Sequence, residues 1–259
     1  MNILITAGGT SEPIDRVRNI TNMSTGTLGN TIAAQFDKVP EVEKIYYICG
    51  NITKLPQSDK TEIIHISDTV SLKKAIESVF EKATVDIIVH SMAVSDYRVK
   101  LVTSCSKVAD SIYKCKQYNS FDSLNEENAE SFTSDIFENS KIMLNNRGKI
   151  SSDINNMILV MERTPKIISL FHEYSPKSIL VGFKLLDSVS REALINAALN
   201  VMEKNKCSLV LANDLSNIDD KHHTGYLVTK SGHYEMYNTK LEIASAIVKE
   251  TIKLKGNRK

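Results

Sequence analysis

The sequence predicts an α/β protein: a Rossmann-like parallel sheet with flanking helices and an additional strand and loop excursion. Three observations carry that prediction. The chain opens on a short apolar run, Ile3-Leu4-Ile5, that stops at Gly8-Gly9 and gives way to a helical pattern after Gly29. Consecutive apolar residues suit a strand covered on both faces. Strand-like and helix-like stretches then alternate over roughly the first ninety residues, the pattern of a parallel sheet wound by crossover helices. The alternation returns after Ser178 and closes with a hairpin and a last helix.

The opening strand is followed by two glycine-bearing turns, Gly8-Gly9 and Gly26-Thr27-Leu28-Gly29. The polar segment between them carries Glu12, Asp15, Arg16, Arg18, Asn22 and Ser24. Ile32, Ala33, Ala34 and Phe36 form the apolar face of the next helix. Glycine lets backbone amides approach an anion, and a helix start adds unpaired N–H groups and the positive end of its dipole. The segment therefore reads as a phosphate-binding loop; an ordinary strand–turn–helix is the plain alternative. Its spacing is neither the G-x-G-x-x-G of dinucleotide sites nor the G-x-x-x-x-G-K-[ST] of a P-loop.

Lys44–Gly50 and Glu62–Ile66 read as the second and third strands. Ser67-Asp68 caps a helix from about Val70 to Lys82, with Val70, Leu72, Ala75, Ile76 and Val79 near helical spacing. Val85–His90 is a fourth strand. Ligands of such sheets bind off the carboxyl ends of strands, where Gly8-Gly9 and Ser91-Met92-Ala93 both fall. His65 and His90, single histidines at strand ends, read as structural.

From Arg98 to about Ser140 the pattern weakens into polar stretches such as Ser120–Asn128, too polar for a core, and a surface excursion is expected. A strand is expected along Ile154–Met161, reaching a subunit interface. Thr164-Pro165 then reads as a helix start. Lys149, beside Gly148, has the flexibility of a closing lid, although alone it is an ordinary solvated lysine. Ser178–Leu185 and Cys207–Leu215 are further strands, with a helix over Ser190–Lys204 between them. Asp219–His223 reads as a solvated loop rather than a metal site. Gly225–Lys230, a Ser231-Gly232 turn and His233–Tyr237 form a hairpin, and the last helix runs from Lys240 to about Lys253.

The totals set bounds on function. At 259 residues the chain suits one large α/β domain or two small ones; a single domain over 1–259 is expected, with 98–163 as the excursion that serves dimerisation and the lid. With 32 basic and 31 acidic residues the net charge is +1, which gives no field for nucleic acid or an anionic membrane. The basic tail Lys253, Lys255, Arg258 and Lys259 is ordinary for a terminus. Four scattered cysteines without a C-x-x-C pair argue against structural zinc and against a disulfide framework. No apolar run approaches the roughly 20 residues of a membrane span. A cytoplasmic protein is expected.

The segment Gly-Gly-Thr-x-Glu-Pro-Ile-Asp-x-Val-Arg-x-Ile-Thr-Asn-x-Ser-Thr-Gly resembles the opening of the phosphopantothenoylcysteine synthetases, or phosphopantothenate–cysteine ligases, of coenzyme A biosynthesis. Four more stretches resemble that family in order: residues 91–97, 149–152, 182–184 and 209–214. The stand-alone bacterial type is the nearest pattern. With no flavin-binding decarboxylase segment before Met1, a single activity is expected.

The resemblance implies a ligase that activates 4′-phosphopantothenate with CTP, releases pyrophosphate, and joins the acyl group to L-cysteine with loss of CMP. It implies that Gly8, Gly9, Ser24, Gly26 and Gly29 hold the nucleotide phosphates, with Lys149 and Lys204 as cations. Asn22 would contact the acyl group and steady the anhydride, with Lys149 the second catalytic residue. Arg18 would meet phosphopantothenate across a homodimer interface. Met92, Ala93 and Asp96 would line the site for the nucleotide, Ala93 and Asp96 also for phosphopantothenate, and Phe183 and Asn213 would face the nucleoside. Mg²⁺ is implied beside CTP, with ligands left open. Met92 replaces a small residue, a change that can narrow the acyl pocket while leaving backbone contacts in place; Lys184-Leu185-Leu186 departs from the fused forms. Two rivals stand beside this: a short-chain NAD(P)-dependent reductase, suggested by Tyr226-x-x-x-Lys230, and a non-catalytic nucleotide-binding protein.

Overall fold

A computed structural model describes residues 1–117, 124–144, 148–218 and 222–257. Parts of two expected loops, 120–123 and 219–221, lie outside the described residues, as do Arg258 and Lys259. In chain order the elements begin with β1 (Asn2–Ala7), β2 (Ser11–Pro13), β3 (Asn19–Thr21) and α1 (Thr27–Asp37). Next come β4 (Lys44–Gly50), β5 (Thr61–Ile66), α2 (Thr69–Lys82), β6 (Ile87–His90) and β7 (Tyr97–Ser104). Then follow α3 (Cys105–Gln117), α4 (Ala129–Glu138), β8 (Met157–Arg163), α5 (Ile167–Tyr174) and β9 (Ile179–Leu186). The last are α6 (Arg191–Asn205), β10 (Leu209–Ile218), β11 (His223–Thr229), β12 (Tyr234–Tyr237) and α7 (Lys240–Gly256).

The chain divides into two compact units, the larger from Met1–Thr10, Asn22–Val94 and Pro165–Lys259, the smaller from Ser11–Thr21 and Ser95–Thr164. In the larger unit the described strands form one sheet in the order β12-β11-β10-β9-β6-β1-β4-β5. β5, β4, β1, β6, β9 and β10 are parallel to one another, and β11 and β12 add antiparallel at one edge. Numbered along the chain, the parallel strands lie 3-2-1-4-5-6, the doubly wound order, which reverses between β1 and β6.

Both faces of that sheet are covered, which is why its strands are apolar at successive positions. Ile3, Ile5 and Ala7 pack in one cluster with Ile32 and Phe36 of α1 and Ile243 and Ile247 of α7. Leu4 packs in another with Leu72 and Ile76 of α2, Phe171 of α5 and Leu194 and Ala198 of α6. Full burial stabilises by about 1.5–3 kcal/mol per large apolar side chain, against about 1 kcal/mol for a helix cap. Packing, not capping, therefore holds these elements. The caps set the ends: Asp68 and Ser71 form a capping box on α2, Thr239 and Glu242 another on α7.

The smaller unit corrects the expectation for residues 98–140. Among the described residues of this stretch there are a strand and two helices, where polar composition suggests only a surface excursion. β7 pairs antiparallel with β8, from Tyr97 opposite Arg163 to Ser104 opposite Met157. Leu101, Ile136 and Ile142 form a small core, flanked by Val108, Ile112, Phe132 and Val160. Val108 with Ile112, and Phe132 with Ile136, are pairs four apart, each a one-pair apolar stripe that the surrounding polar residues mask in composition. A short hairpin, β2 against β3, also belongs to this unit.

One boundary moves for a clear reason. α5 begins at Ile167 rather than at Thr164-Pro165. Thr164 donates its N–H to the Asp96 carbonyl at 3.0 Å and its hydroxyl to the Ser95 carbonyl at 2.6 Å, so it is committed to the β7–β8 pair and does not cap the helix.

Candidate active site

In a doubly wound sheet the ligand crevice lies off the carboxyl ends of the strands where the order reverses, here β1 and β6. At Gly8 the backbone takes a φ of +80°, open to glycine at little cost. Backbone hydrogen bonds then lace the two strand ends together beyond the regular ladder. Ala93 donates to the Gly8 carbonyl at 2.8 Å, Thr10 to the Ala93 carbonyl at 3.2 Å, and Asn22 to the Thr10 carbonyl at 3.2 Å. Gly9 and Ala93 form an isolated parallel bridge.

The start of α1 closes against the same turn. Gly26, the residue before its first turn, has φ +67° and no side chain to cap the helix. A Cβ placed there would stand 3.0 Å from the Gly8 nitrogen. The first intrahelical bond of the turn is donated by Asn30 to the Gly26 carbonyl at 2.9 Å, so the amides of Leu28 and Gly29 precede the ladder. No acidic residue lies in this first turn. Such an N-terminus favours an anion.

The structure thus brings together Gly8, Gly9, Asn22, Gly26, Gly29 and Ala93, with exposed Ser24 on the loop between them. The side chain of Met92 is buried in the cluster with Leu4 and Phe171, so its backbone is what it presents at this strand end. Phe183, opposite Leu211, lies in the carboxyl half of β9, and Asn213, opposite Leu185, lies at the middle of β10. Phe183 is half-buried, while Asn213 is buried and donates its side-chain amide to the Thr224 carbonyl at 2.9 Å. Lys204 is not brought to this group. It sits in the last turn of α6, just before β10 begins, and so at the edge of the sheet opposite the glycine turn.

Arg18, Asp96 and Lys149 belong to the smaller unit. Lys149 and Asp96 are exposed. Arg18 grips Asp15 with Nε and Nη2, at 3.0 and 2.5 Å. That guanidinium, with the amides of Val17, Ile150 and Arg18, holds the buried Asp15 carboxyl far below the usual carboxylate range.

Three residues were given no role by sequence reasoning. Thr53 lodges against both glycine turns, its side chain filling the space where side chains on Gly8 and Gly26 would go. Asp214 accepts from the amides of Ser188 and Val189, each at 2.9 Å, and from Ser216, which pulls its carboxyl down to about 2. Asp15 is the third. Asp15 and Asp214 each fell inside a motif stretch, the first in the polar segment after Gly8-Gly9 and the second in residues 209–214, whereas Thr53 did not.

His90 is buried with Nδ1 2.7 Å from the Thr6 hydroxyl; burial, then the Lys166 charge, lowers its pKa to about 4, and it is a neutral core residue. All four cysteines are free thiols. Burial pushes Cys49 up to about 11 and Cys207 up to about 12. Tyr226, half of the reductase-like pair, lies on β11 with its ring 5.8 Å from that of Tyr234. Among the described residues no group of three His, Cys, Asp or Glu could hold a metal ion, and no helix is long and apolar enough to cross a membrane.

A family profile described as DNA/pantothenate metabolism flavoprotein C-terminal domain matches residues 1–117 and 141–254. The Coenzyme A biosynthesis bifunctional protein CoaBC of Methanocaldococcus jannaschii is 28% identical over 258 residues, covering 97% of this chain and 50% of the relative. The chain therefore spans about half the length of that curated relative. The crystal structure of the DNA/Pantothenate Metabolism Flavoprotein from Streptococcus pneumoniae matches with a TM-score of 0.80 and 32% identity, over 98% of this chain and 99% of the other. A Cab2 mutant in complex with phosphopantothenate-cysteine matches with a TM-score of 0.66 and 15% identity, over 99% and 86%, a likeness of fold.

Proposed function

The chain belongs to the DNA/pantothenate metabolism flavoprotein C-terminal domain family, and from that premise we propose that it is a phosphopantothenate–cysteine ligase of coenzyme A biosynthesis. In this reading the carboxylate of 4′-phosphopantothenate displaces pyrophosphate from CTP to form an acyl-cytidylate. The amine of L-cysteine then displaces CMP and the amide forms. A carboxylate is a poor electrophile, and the anhydride supplies the leaving group it lacks.

One observation supports this reading above the others. The glycine turn, Asn22 and Ala93 are tied by backbone hydrogen bonds at the sheet's switch point, against the uncapped start of α1. A triphosphate there would meet backbone amides and a helix dipole, while Asn22 would supply a neutral amide to the acyl oxygen, where charge develops. Alignment of two bound reactants contributes up to about 7–11 kcal/mol of barrier lowering, so a rigid, preorganised surface suits the chemistry better than a strong base would.

The remaining roles follow the family resemblance. Gly8, Gly9, Ser24, Gly26 and Gly29 take the phosphates, Phe183 and Asn213 the nucleoside, Lys149 the phosphates, and Arg18 and Asp96 the phosphopantothenate. Lys204 takes no part at the glycine turn of its own chain. Since the described residues offer no three-residue metal group, Mg²⁺ enters this proposal only as a counter-ion carried by the nucleotide, and no step is routed through it. A cytoplasmic homodimer completes the reading.

The test is pyrophosphate release. It should require both phosphopantothenate and a nucleoside triphosphate, and CTP should serve better than ATP. Release without phosphopantothenate, or none with it, overturns the ligase reading, and the latter result with nucleotide still bound would leave the non-catalytic rival.

A further inference from the structure

Asp15 lies in the connection between β2 and β3, and its side chain is 0% exposed. Five hydrogen bonds converge on its two oxygens. Oδ1 accepts from the amides of Val17 and Arg18, each at 2.9 Å. Oδ2 accepts from Nε and Nη2 of Arg18 at 3.0 and 2.5 Å, and from the amide of Ile150 at 3.1 Å. Nη2 of Arg18 also donates to the Ile150 carbonyl at 3.1 Å. The backbone of Ile150 is thus held on both sides, its N–H by the acid and its C=O by the acid's guanidinium partner.

Lys149 is the residue directly before this clamp. On its other side Gly148 has open space around it, with nothing within 4 Å of where a Cβ would stand. The lysine's backbone is therefore pinned on its Ile150 side. A local hairpin needs one acceptor at its turn; a carboxylate that also reaches across 135 residues of sequence to fix one particular peptide is doing more than closing a turn.

We infer that Asp15 is a positioning residue for the proposed ligation, setting Arg18 and the base of the Lys149 segment with one buried carboxylate. The inference rests on the ligase reading and adds to it the device that fixes two of its cations. Aspartate rather than asparagine is required because every group facing it is a donor. An amide there would turn its own NH₂ towards one of them and leave buried donors unpaired. The Arg18 charge and the converging amides keep the acid ionised well below neutral pH, so the clamp is constant through the working range.

The test is a double-variant cycle on the full chain, with Asp15→Asn, Lys149→Ala and the two combined. It reads single-turnover pyrophosphate release with phosphopantothenate and CTP, together with hydrogen exchange of the peptide containing Ile150. We expect Asp15→Asn to fold, to lose about 10- to 100-fold in rate, and to speed exchange at Ile150 about tenfold or more. The combined variant should be about tenfold faster than the product of the two single losses, because both act on Lys149. Losses that simply multiply, a rate within about twofold of the parent, or unchanged exchange at Ile150 each overturn the inference. If Asp15→Asn does not fold, Asp15→Glu carries the same cycle with the same criteria. A parent protein that releases no pyrophosphate defeats the ligase reading and this role with it, whereas exchange at Ile150 reports on the clamp alone.

Discussion

The carbonyl oxygen of Asn22 occupies the space that a side chain on Gly9 would need. The residue proposed for the acyl group and the turn proposed for the phosphates are therefore in direct backbone contact, reinforced by the bond from Asn22 N–H to the Thr10 carbonyl at 3.2 Å. A Gly9→Ala variant must push Asn22 away. Overpacking of this kind costs about 1–3 kcal/mol of stability, and a displacement of about 1 Å at a reacting group costs about 100-fold in rate. Gly256→Ala, at a position with open space near the end of α7, should leave both within about twofold of the parent. Thermal unfolding and pyrophosphate release check the pair. Equal activity in the two variants would separate Gly9 from the site.

Stability should fall on mild acidification, and His90 is one cause. Its folded pKa is lowered to about 4 against an unperturbed 6.5, chiefly by burial. For a base with a depressed folded pKa, the unfolded chain takes up the proton first. Stability is then complete above about 6.5, is lost as pH falls towards about 4, and levels off below. The span corresponds to about 3 kcal/mol. His223, lowered by burial to about 4 as well, titrates in the same window, so His90→Gln should remove only its own share. Urea unfolding at pH 7 and pH 5 measures this. An undiminished pH dependence in the variant would contradict the assignment.

The doubly wound sheet was legible because its strands are buried on both faces and so read as unbroken apolar runs: Ile3 to Ile5, Ile87 to Val89, Leu209 to Ala212. The glycine turn was legible because Gly8 and Gly26 carry the positive φ that ordinary residues avoid. What stayed hidden depended on partners distant in sequence. The small core of Leu101, Ile136 and Ile142 uses single apolar pairs inside polar helices, which no local period reveals. Thr53 meets the glycine turns only through the fold, and the bond from Ile150 to Asp15 joins opposite ends of the smaller unit's sequence. Lys204 illustrates the converse: a basic residue just before a motif strand looks placed for phosphate, yet a crossover helix ends at the far edge of the sheet.

Asp214 ties the segment after β9 to the middle of β10, next to Asn213. An Asp214→Asn variant loses a charged acceptor for the amides of Ser188 and Val189. Nucleotide affinity should fall about 10-fold, with little change in the affinity for phosphopantothenate. Titration calorimetry with each ligand separates the two. Unchanged nucleotide binding would exclude this segment from the nucleoside side.

The most direct measurement is mass spectrometry of the protein with phosphopantothenate and either CTP, ATP or no nucleotide, with cysteine withheld. An acyl-cytidylate should accumulate with CTP, disappear on addition of cysteine with release of CMP, and be formed or consumed at an altered rate in Asn22→Asp. If no acyl-nucleotide forms with either triphosphate, a crevice built to turn a carboxylate into an anhydride is not what this fold provides.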